Sequence, residues 1–226
     1  MQSLLLKSPA KLNLTLDVLG KRSDGFHELH TLFERISLAD DIKLTLNSTG
    51  KINVRCLNLH VPKDHRNLAV KIAARLQADF KVKHGVTIDI KKNIPVAAGL
   101  AGGSSNGATV LMGLNRLWQL KLSKKQMQDY AAWLGSDVAF FLYDTSFAIG
   151  EGRGEQITPI NTKTKLWHVL VTPRVKMLTK LVFAALAKAQ VEAKLKLTNK
   201  KPSVNILLPF LYQGDPKGLS SRYLMI

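Results

Sequence analysis

Short apolar runs separated by polar turns dominate the first half of this 226-residue chain. Residues 4–7 and 12–19 read as strands, and so, with partial alternation, do 29–33, 41–46 and 52–56. Lys21-Arg22-Ser23-Asp24-Gly25 is a turn, marked by its Asp-Gly pair. The period then changes. Leu68, Ile72, Leu76 and Phe80 recur every fourth residue, which predicts a helix over 67–80 with Asn67 as its N-cap. A strand over 85–91 and a helix over 106–120 follow. Ser123-Lys124-Lys125-Gln126 is a capping box that opens another helix to Leu134, where Gly135 ends it. Further on, 147–149 and 167–172 read as strands, with a glycine-rich turn at 150–154. Residues 178–193 and 204–212 read as helices. The polar segment 161–165 marks a domain boundary near residue 160, and the chain has no internal repeat. The mixture is α+β in two parts.

Between the strand at 85–91 and the helix that follows lies Ile94-Pro95-Val96-Ala97-Ala98-Gly99-Leu100-Ala101-Gly102-Gly103-Ser104-Ser105-Asn106. Gly99, Gly102 and Gly103 lack a Cβ, so this backbone can take positive φ and approach a ligand closely. The first amides of the next helix have no intrahelical partner and carry the positive end of the dipole, and a phosphate satisfies both. No lysine precedes the serines, which excludes a Walker-type loop. The glycine spacing is also not that of a dinucleotide fingerprint. A flexible glycine/alanine linker is the competing reading, but linkers rarely sit between two periodic elements.

Composition narrows the class. One cysteine, Cys56, excludes an internal disulfide framework and fits a reducing compartment. No apolar run reaches the length of a membrane span and no apolar leader follows a basic start, so a cytoplasmic protein without membrane attachment is expected. The net charge of +17 raises nucleic acid as a partner. Much of that surplus lies late: after Glu155 there are twelve Lys or Arg against Glu192 and Asp215, with Lys predominating. A solvated surface or a polyanionic small substrate explains it as well.

Among single residues, Asp137 stands between Gly135 and the apolar run Val138-Ala139-Phe140-Phe141, as a cap or as a functional carboxylate in a partly dry place. Lys11 begins an otherwise apolar strand; a surface position is its default reading. Phe26 and His27 sit at a hairpin tip, where they could stack on and hydrogen-bond a flat ring, or simply close a turn around one buried aromatic. No His, Cys, Asp and Glu cluster has metal-ligand spacing, so no protein-held structural metal is expected.

Taken together, Ser8-Pro9-Ala10-Lys11-Leu12-Asn13-Leu14, Arg22-Ser23-Asp24-Gly25-Phe26-His27-Glu28-Leu29, residues 95–105 and Leu134-Gly135-Ser136-Asp137-Val138 resemble the 4-diphosphocytidyl-2-C-methyl-D-erythritol kinases, GHMP-type kinases of the non-mevalonate isoprenoid pathway. His168-Val169-Leu170-Val171-Thr172-Pro173 and Thr179-Lys180 fit as well. The resemblance implies an α+β GHMP-kinase-like fold of two domains: an N-terminal ATP-binding domain over 1–160, of a type also found in ribosomal proteins, and an incomplete α/β domain over 161–226. It implies ATP-dependent phosphorylation of a hydroxyl on the methylerythritol moiety of a cytidine diphosphate conjugate. Pro95, Val96, Ala97, Ala98, Gly99, Leu100, Ala101, Gly102, Gly103, Ser104 and Ser105 would hold the ATP phosphates, with Asn67 and Lys92 near the nucleotide base. Asp137 would accept the hydroxyl proton, with Lys11 beside it. Asn13, Phe26, His27 and Thr179 would face the substrate, and Mg2+ would come with ATP.

Kinases of this family continue past a segment like Gly214-Asp215-Pro216-Lys217-Gly218 into a helix and a glycine-rich third motif, whereas this sequence runs to Tyr223-Leu224-Met225-Ile226. The expectation is therefore a truncated chain. A nucleotide-binding remnant without turnover and a basic nucleic-acid-binding protein are the alternatives; the phosphate loop with Lys11 and Asp137 in register argues against the second.

Overall fold

The computed structural model describes residues 2–172 and 203–215. Its sheet has the order β3-β4-β2-β5-β6, with β1 pairing to β2. The strands are β1 (Ser3–Lys21), β2 (His27–Asn47), β3 (Ile52–Cys56), β4 (Gly85–Lys91), β5 (Phe147–Gly152) and β6 (Gln156–Ile160). The helices are α1 (Leu68–Asp79), α2 (Gly102–Leu117), α3 (Lys124–Leu134) and α4 (Ser203–Gln213), with a 3-10 helix over Ser136–Leu142.

The described chain forms two compact units, with β1 and β2 contributing to each. The first is built from the residues up to Lys11 with Arg35–Val96 and Leu100–Asp144. Here the C-terminal half of β2 runs antiparallel to β4, from Asp41 opposite Lys91 to Asn47 opposite Gly85, and β3 lies parallel on the far side of β4. Ile42, Leu44, Val86 and Ile88 supply buried sheet residues, and Ile72, Leu76, Leu111 and Leu114 supply buried helix residues. Each such side chain contributes on the order of 1.5–3 kcal/mol of hydrophobic stabilisation. The second unit comprises Leu12–Glu34, Ala97–Gly99 and the described residues from Thr145 onward. The N-terminal half of β2 pairs antiparallel with β5, and β5 with β6. Val204, Leu207 and Leu211, on one face of α4, close a core with Leu14, Leu32, Phe147 and Ile160.

Local signals account for the helix ends. The Asn67 side chain accepts from the Ala69 amide at 2.9 Å, an N-cap of about 1 kcal/mol. Ser123 and Gln126 form the reciprocal capping box, and Gly135 caps α3.

Several elements differ from the sequence reading. The strands expected at 4–7 and 12–19 are one strand, β1, with Pro9 inside it, and those at 29–33 and 41–46 are one strand, β2. A strand with a single partner tolerates a proline whose missing N–H would face away from the ladder. The helix expected over 106–120 begins at Gly102 and ends at Leu117, so Ser104, Ser105 and Asn106 lie inside its first turns. The turn expected at 150–154 is narrower, because Gly150 and Gly152 are strand residues of β5. Strand β6 was not anticipated; Pro159 interrupts its pattern. Residues 161–172 have no regular structure, and Trp167 is 96% exposed. Alternation at 167–172 suits a strand, but a strand exists only with a partner ladder, and none is present among the described residues. The helix expected at 178–193 lies outside the described residues.

Close approach of α2 to its neighbours depends on Gly107. A Cβ there would stand 2.7 Å from Leu134 Cδ2 and 3.2 Å from Leu68 Cβ. Gly107→Val should therefore lower unfolding free energy by about 1–3 kcal/mol through overpacking, read as a lower urea midpoint at unchanged slope. An unchanged midpoint would contradict the packing described here.

Candidate active site

Strand β4 delivers the chain to Ile94, which is buried; residues 96–99 are exposed, and Leu100 is buried again. Both ends of the loop are thus pinned by apolar side chains while its crest meets solvent. Ala97, Gly99 and Ala101 take φ of 59°, 74° and 52°. For the two alanines this left-handed backbone costs on the order of 1–2 kcal/mol each, strain of the kind held at functional loops. Ala101 is the N-cap of α2 and supplies no side-chain hydrogen bond; the first helical bond there is Ser105 N–H to Ala101 C=O at 2.9 Å. The amides of Gly102, Gly103 and Ser104 precede that bond, so they have no intrahelical acceptor. A Cβ on Gly103 would meet nothing within 4 Å, so the space before the helix start is open. Open space, N–H groups without an intrahelical acceptor and the positive end of a 16-residue helix together suit an anion.

Lys11 and Asp137 meet in the same unit. Strand β1 carries Lys11. The 3-10 helix presents Asp137 in its first turn, anchored by buried Val138, Ala139, Phe140 and Phe141. Lys11 Nζ lies 3.2 Å from Asp137 Oδ1, and the two side chains are 5% and 41% exposed. The lysine is dry while the carboxylate reaches solvent, so an incoming hydroxyl could approach Asp137. Burial pushes the Lys11 pKa below the ordinary 10.5, and the charge and hydrogen bond of Asp137 oppose that shift. The Lys11 amide also donates to Leu100 C=O at 3.3 Å, so one residue ties the carboxylate to the loop.

Beneath the loop lies a buried polar group that the sequence reading did not identify. Asp40 is fully buried and accepts from Lys92 Nζ (2.7 Å), Asn93 N–H (2.8 Å), Ile94 N–H (2.8 Å) and Asn106 Nδ2 (2.9 Å). Asn106 Nδ2 also donates to Ser8 Oγ, which is 2.8 Å from Ser105 Oγ. In the sequence, Asp40 looks like the first of two acids at a turn. Only the β2–β4 pairing takes it inside.

The remaining candidates fall as follows. Ser105 turns its hydroxyl inward to Ser8, while Ser104 is half-buried at the helix start. Asn67 uses its oxygen on Ala69 and its amide on Pro62 C=O. Lys92 Nζ is held by Asp40 and Ile94 C=O. In the second unit, Asn13 Nδ2 donates to Thr31 Oγ1 at 2.8 Å. Phe26 is 52% exposed at the hairpin tip with the Arg153 guanidinium 4.8 Å above its ring, so it is not the buried turn aromatic that was one reading of this tip. His27 is half-buried at the start of β2. Thr179 lies outside the described residues. Among the described residues, no cluster of three or more His, Cys, Asp or Glu could hold a metal ion, and no helix is long and apolar enough to cross a membrane.

Known proteins give this arrangement a context. Residues 67–145 match the family described as GHMP kinases N terminal domain. The chain is 45% identical over 217 residues to the 4-diphosphocytidyl-2-C-methyl-D-erythritol kinase of Bacillus anthracis, covering 96% of this chain and 72% of that protein, with the same figures for the Bacillus mycoides protein of that name. A crystal structure of 4-(cytidine 5'-diphospho)-2C-methyl-D-erythritol kinase superposes with a TM-score of 0.72 at 30% identity, over 94% of this chain and 72% of that one. Mevalonate kinase from L. major shares the fold, with a TM-score of 0.70 at 16% identity over 98% of this chain and 73% of its own. The strand–loop–helix segment over 85–117 and the Lys11–Asp137 pair therefore sit on a GHMP-kinase fold, and this chain belongs to the 4-diphosphocytidyl-2-C-methyl-D-erythritol kinase family.

Proposed function

We propose that this chain transfers the γ-phosphoryl group of ATP to a hydroxyl on the methylerythritol moiety of 4-diphosphocytidyl-2-C-methyl-D-erythritol. The observation that carries the reading is the Lys11–Asp137 pair: a dry ammonium at 3.2 Å from a carboxylate that solvent can reach. Asp137 accepts the proton of the substrate hydroxyl, whose oxygen then attacks the γ-phosphorus as ADP departs. Lys11 places its positive charge beside Asp137 and stabilises negative charge that develops on the transferring group. Phosphoryl transfer asks the protein for positioning and charge neutralisation rather than covalent chemistry, and a loop of amides, one Lys and one Asp meet that need.

Residues 95–105 bind the phosphates through their backbone, with Asn67 toward the nucleotide base and Lys92, close to the loop in the chain, turned beneath it onto Asp40. Asn13, Phe26, His27 and Thr179 face the cytidine conjugate, Phe26 offering an exposed ring for stacking. Magnesium supplies charge neutralisation of the ATP phosphates. In domain terms, 1–160 is the ATP-binding domain and 161–226 belongs to a second one.

Two outcomes test this. Asp137→Asn keeps the shape but removes the base, so substrate-dependent ADP release should fall by about 10²–10⁴-fold while ATP affinity stays within about threefold. Loss of ATP binding instead would make Asp137 a structural residue. The second test is pH. Because the Lys11 pKa is depressed, the folded protein holds fewer protons than the unfolded chain between that pKa and 10.5, so Lys11's contribution to stability rises with pH across that window. Turnover should do the opposite, falling on the alkaline side at a pH below 10.5 as the ammonium is lost. Lys11→Arg should remove that limb, whereas a limb retained in the arginine variant would assign it to another group.

A further inference from the structure

The loop's crest is exposed and its left-handed alanines are strained, so something must hold its two ends. The group that does so is Asp40. Oδ1 accepts from the amides of Asn93 and Ile94, where the chain enters the loop, and Oδ2 accepts from Asn106, where α2 carries it away. Lys92 supplies the balancing charge on Oδ2 and donates its remaining reach to Ile94 C=O. Both oxygens are thus doubly satisfied in a place without solvent, the condition under which a buried carboxylate rigidifies its surroundings. Gly102 completes the closure: a Cβ there would stand 2.9 Å from Lys92 Nζ and 3.1 Å from Ile94 Cγ2, so the helix start can settle onto Lys92 only without a side chain.

We propose that Asp40 is a positioning residue for phosphate binding: from beneath the loop its carboxylate clasps the entry at Asn93 and Ile94 to the exit at Asn106, and so fixes residues 95–105 in the curvature that surrounds an anion. It touches no ligand itself. Lys92 in this account acts from behind the loop as the counter-charge of the clasp. The inference rests on the reading of residues 95–105 as the phosphate site.

The clasp should matter in proportion to the number of phosphates bound, which separates it from a merely structural role. The measurement is the dissociation constants of AMP and Mg-ATP for the 226-residue chain, by calorimetry, in wild type, Asn106→Ala and Asp40→Asn. Asn106→Ala opens the exit side while leaving the Asp40–Lys92 charges paired, so it keeps the fold and decides the matter if Asp40→Asn, which strands a buried ammonium, fails to fold. In Asn106→Ala the ratio of the AMP to the ATP constant should fall about tenfold with the AMP constant within about twofold of wild type, and Asp40→Asn, where folded by circular dichroism, should move further the same way. An unchanged ratio in a folded variant, or equal weakening of AMP and ATP, overturns the proposal. A wild-type chain that binds ATP no better than AMP overturns the phosphate-site reading itself, and the clasp with it.

Discussion

A buried ammonium has to be paired, and in this protein that requirement shapes the site. Lys11 lies in the dry middle of β1, and taking a lone ammonium out of water would cost several kcal/mol. Asp137 meets the need, which fixes the first turn of the 3-10 helix against β1. Because the Lys11 amide also holds Leu100, the same residue constrains the loop. The carboxylate stays 41% exposed, so the pair is asymmetric: its cation is buried and its anion faces outward. An ion pair meant only for stability would gain nothing from that asymmetry, whereas a base that must meet an incoming hydroxyl needs it.

A second charge pair, Asp40 with Lys92, is buried at both members and lies under the same loop. Each pair has one member on the long β1 or β2 strand and the other in or beside a connecting segment. Rigid strands thus carry charges that organise loops, and the sheet's register is transmitted to the segments that would touch nucleotide. The glycines serve the same end by allowing contact: Gly107 lets α2 lie against Leu134 and Leu68, and Gly113 lets it approach Leu44 and Leu6.

Much of this was legible in the sequence where the signal is local. Asn67, the Ser123–Gln126 capping box, β3 and β4 occur where the pattern puts them, because caps and short alternating runs depend on neighbours a few residues away. The loop between β4 and α2 was legible because glycines between two periodic segments mark a connection. What could not be read depends on pairing across the chain. Lys11 looked like a surface lysine until its strand was buried. Asp40 and Asp41 look alike in sequence, yet one is fully buried and the other bridges exposed Lys7. Strand β6 and the irregular 161–172 show the same limit in opposite directions: partners, rather than alternation, decide what becomes a strand. The family register of the motifs carried information that periodicity lacks, since it placed Lys11 beside Asp137 across more than a hundred residues.

Relatives of the family share this fold with kinases acting on quite different alcohols, so the choice of acceptor is the claim that separates this reading from its neighbours. The most direct measurement is phosphorus-31 NMR of the 226-residue chain incubated with Mg-ATP and, separately, 4-diphosphocytidyl-2-C-methyl-D-erythritol, mevalonate and homoserine. The account predicts a new phosphomonoester resonance, with the acceptor's diphosphate signals retained, in the first mixture alone. A resonance formed from mevalonate or homoserine, or none from the cytidine conjugate, would contradict it.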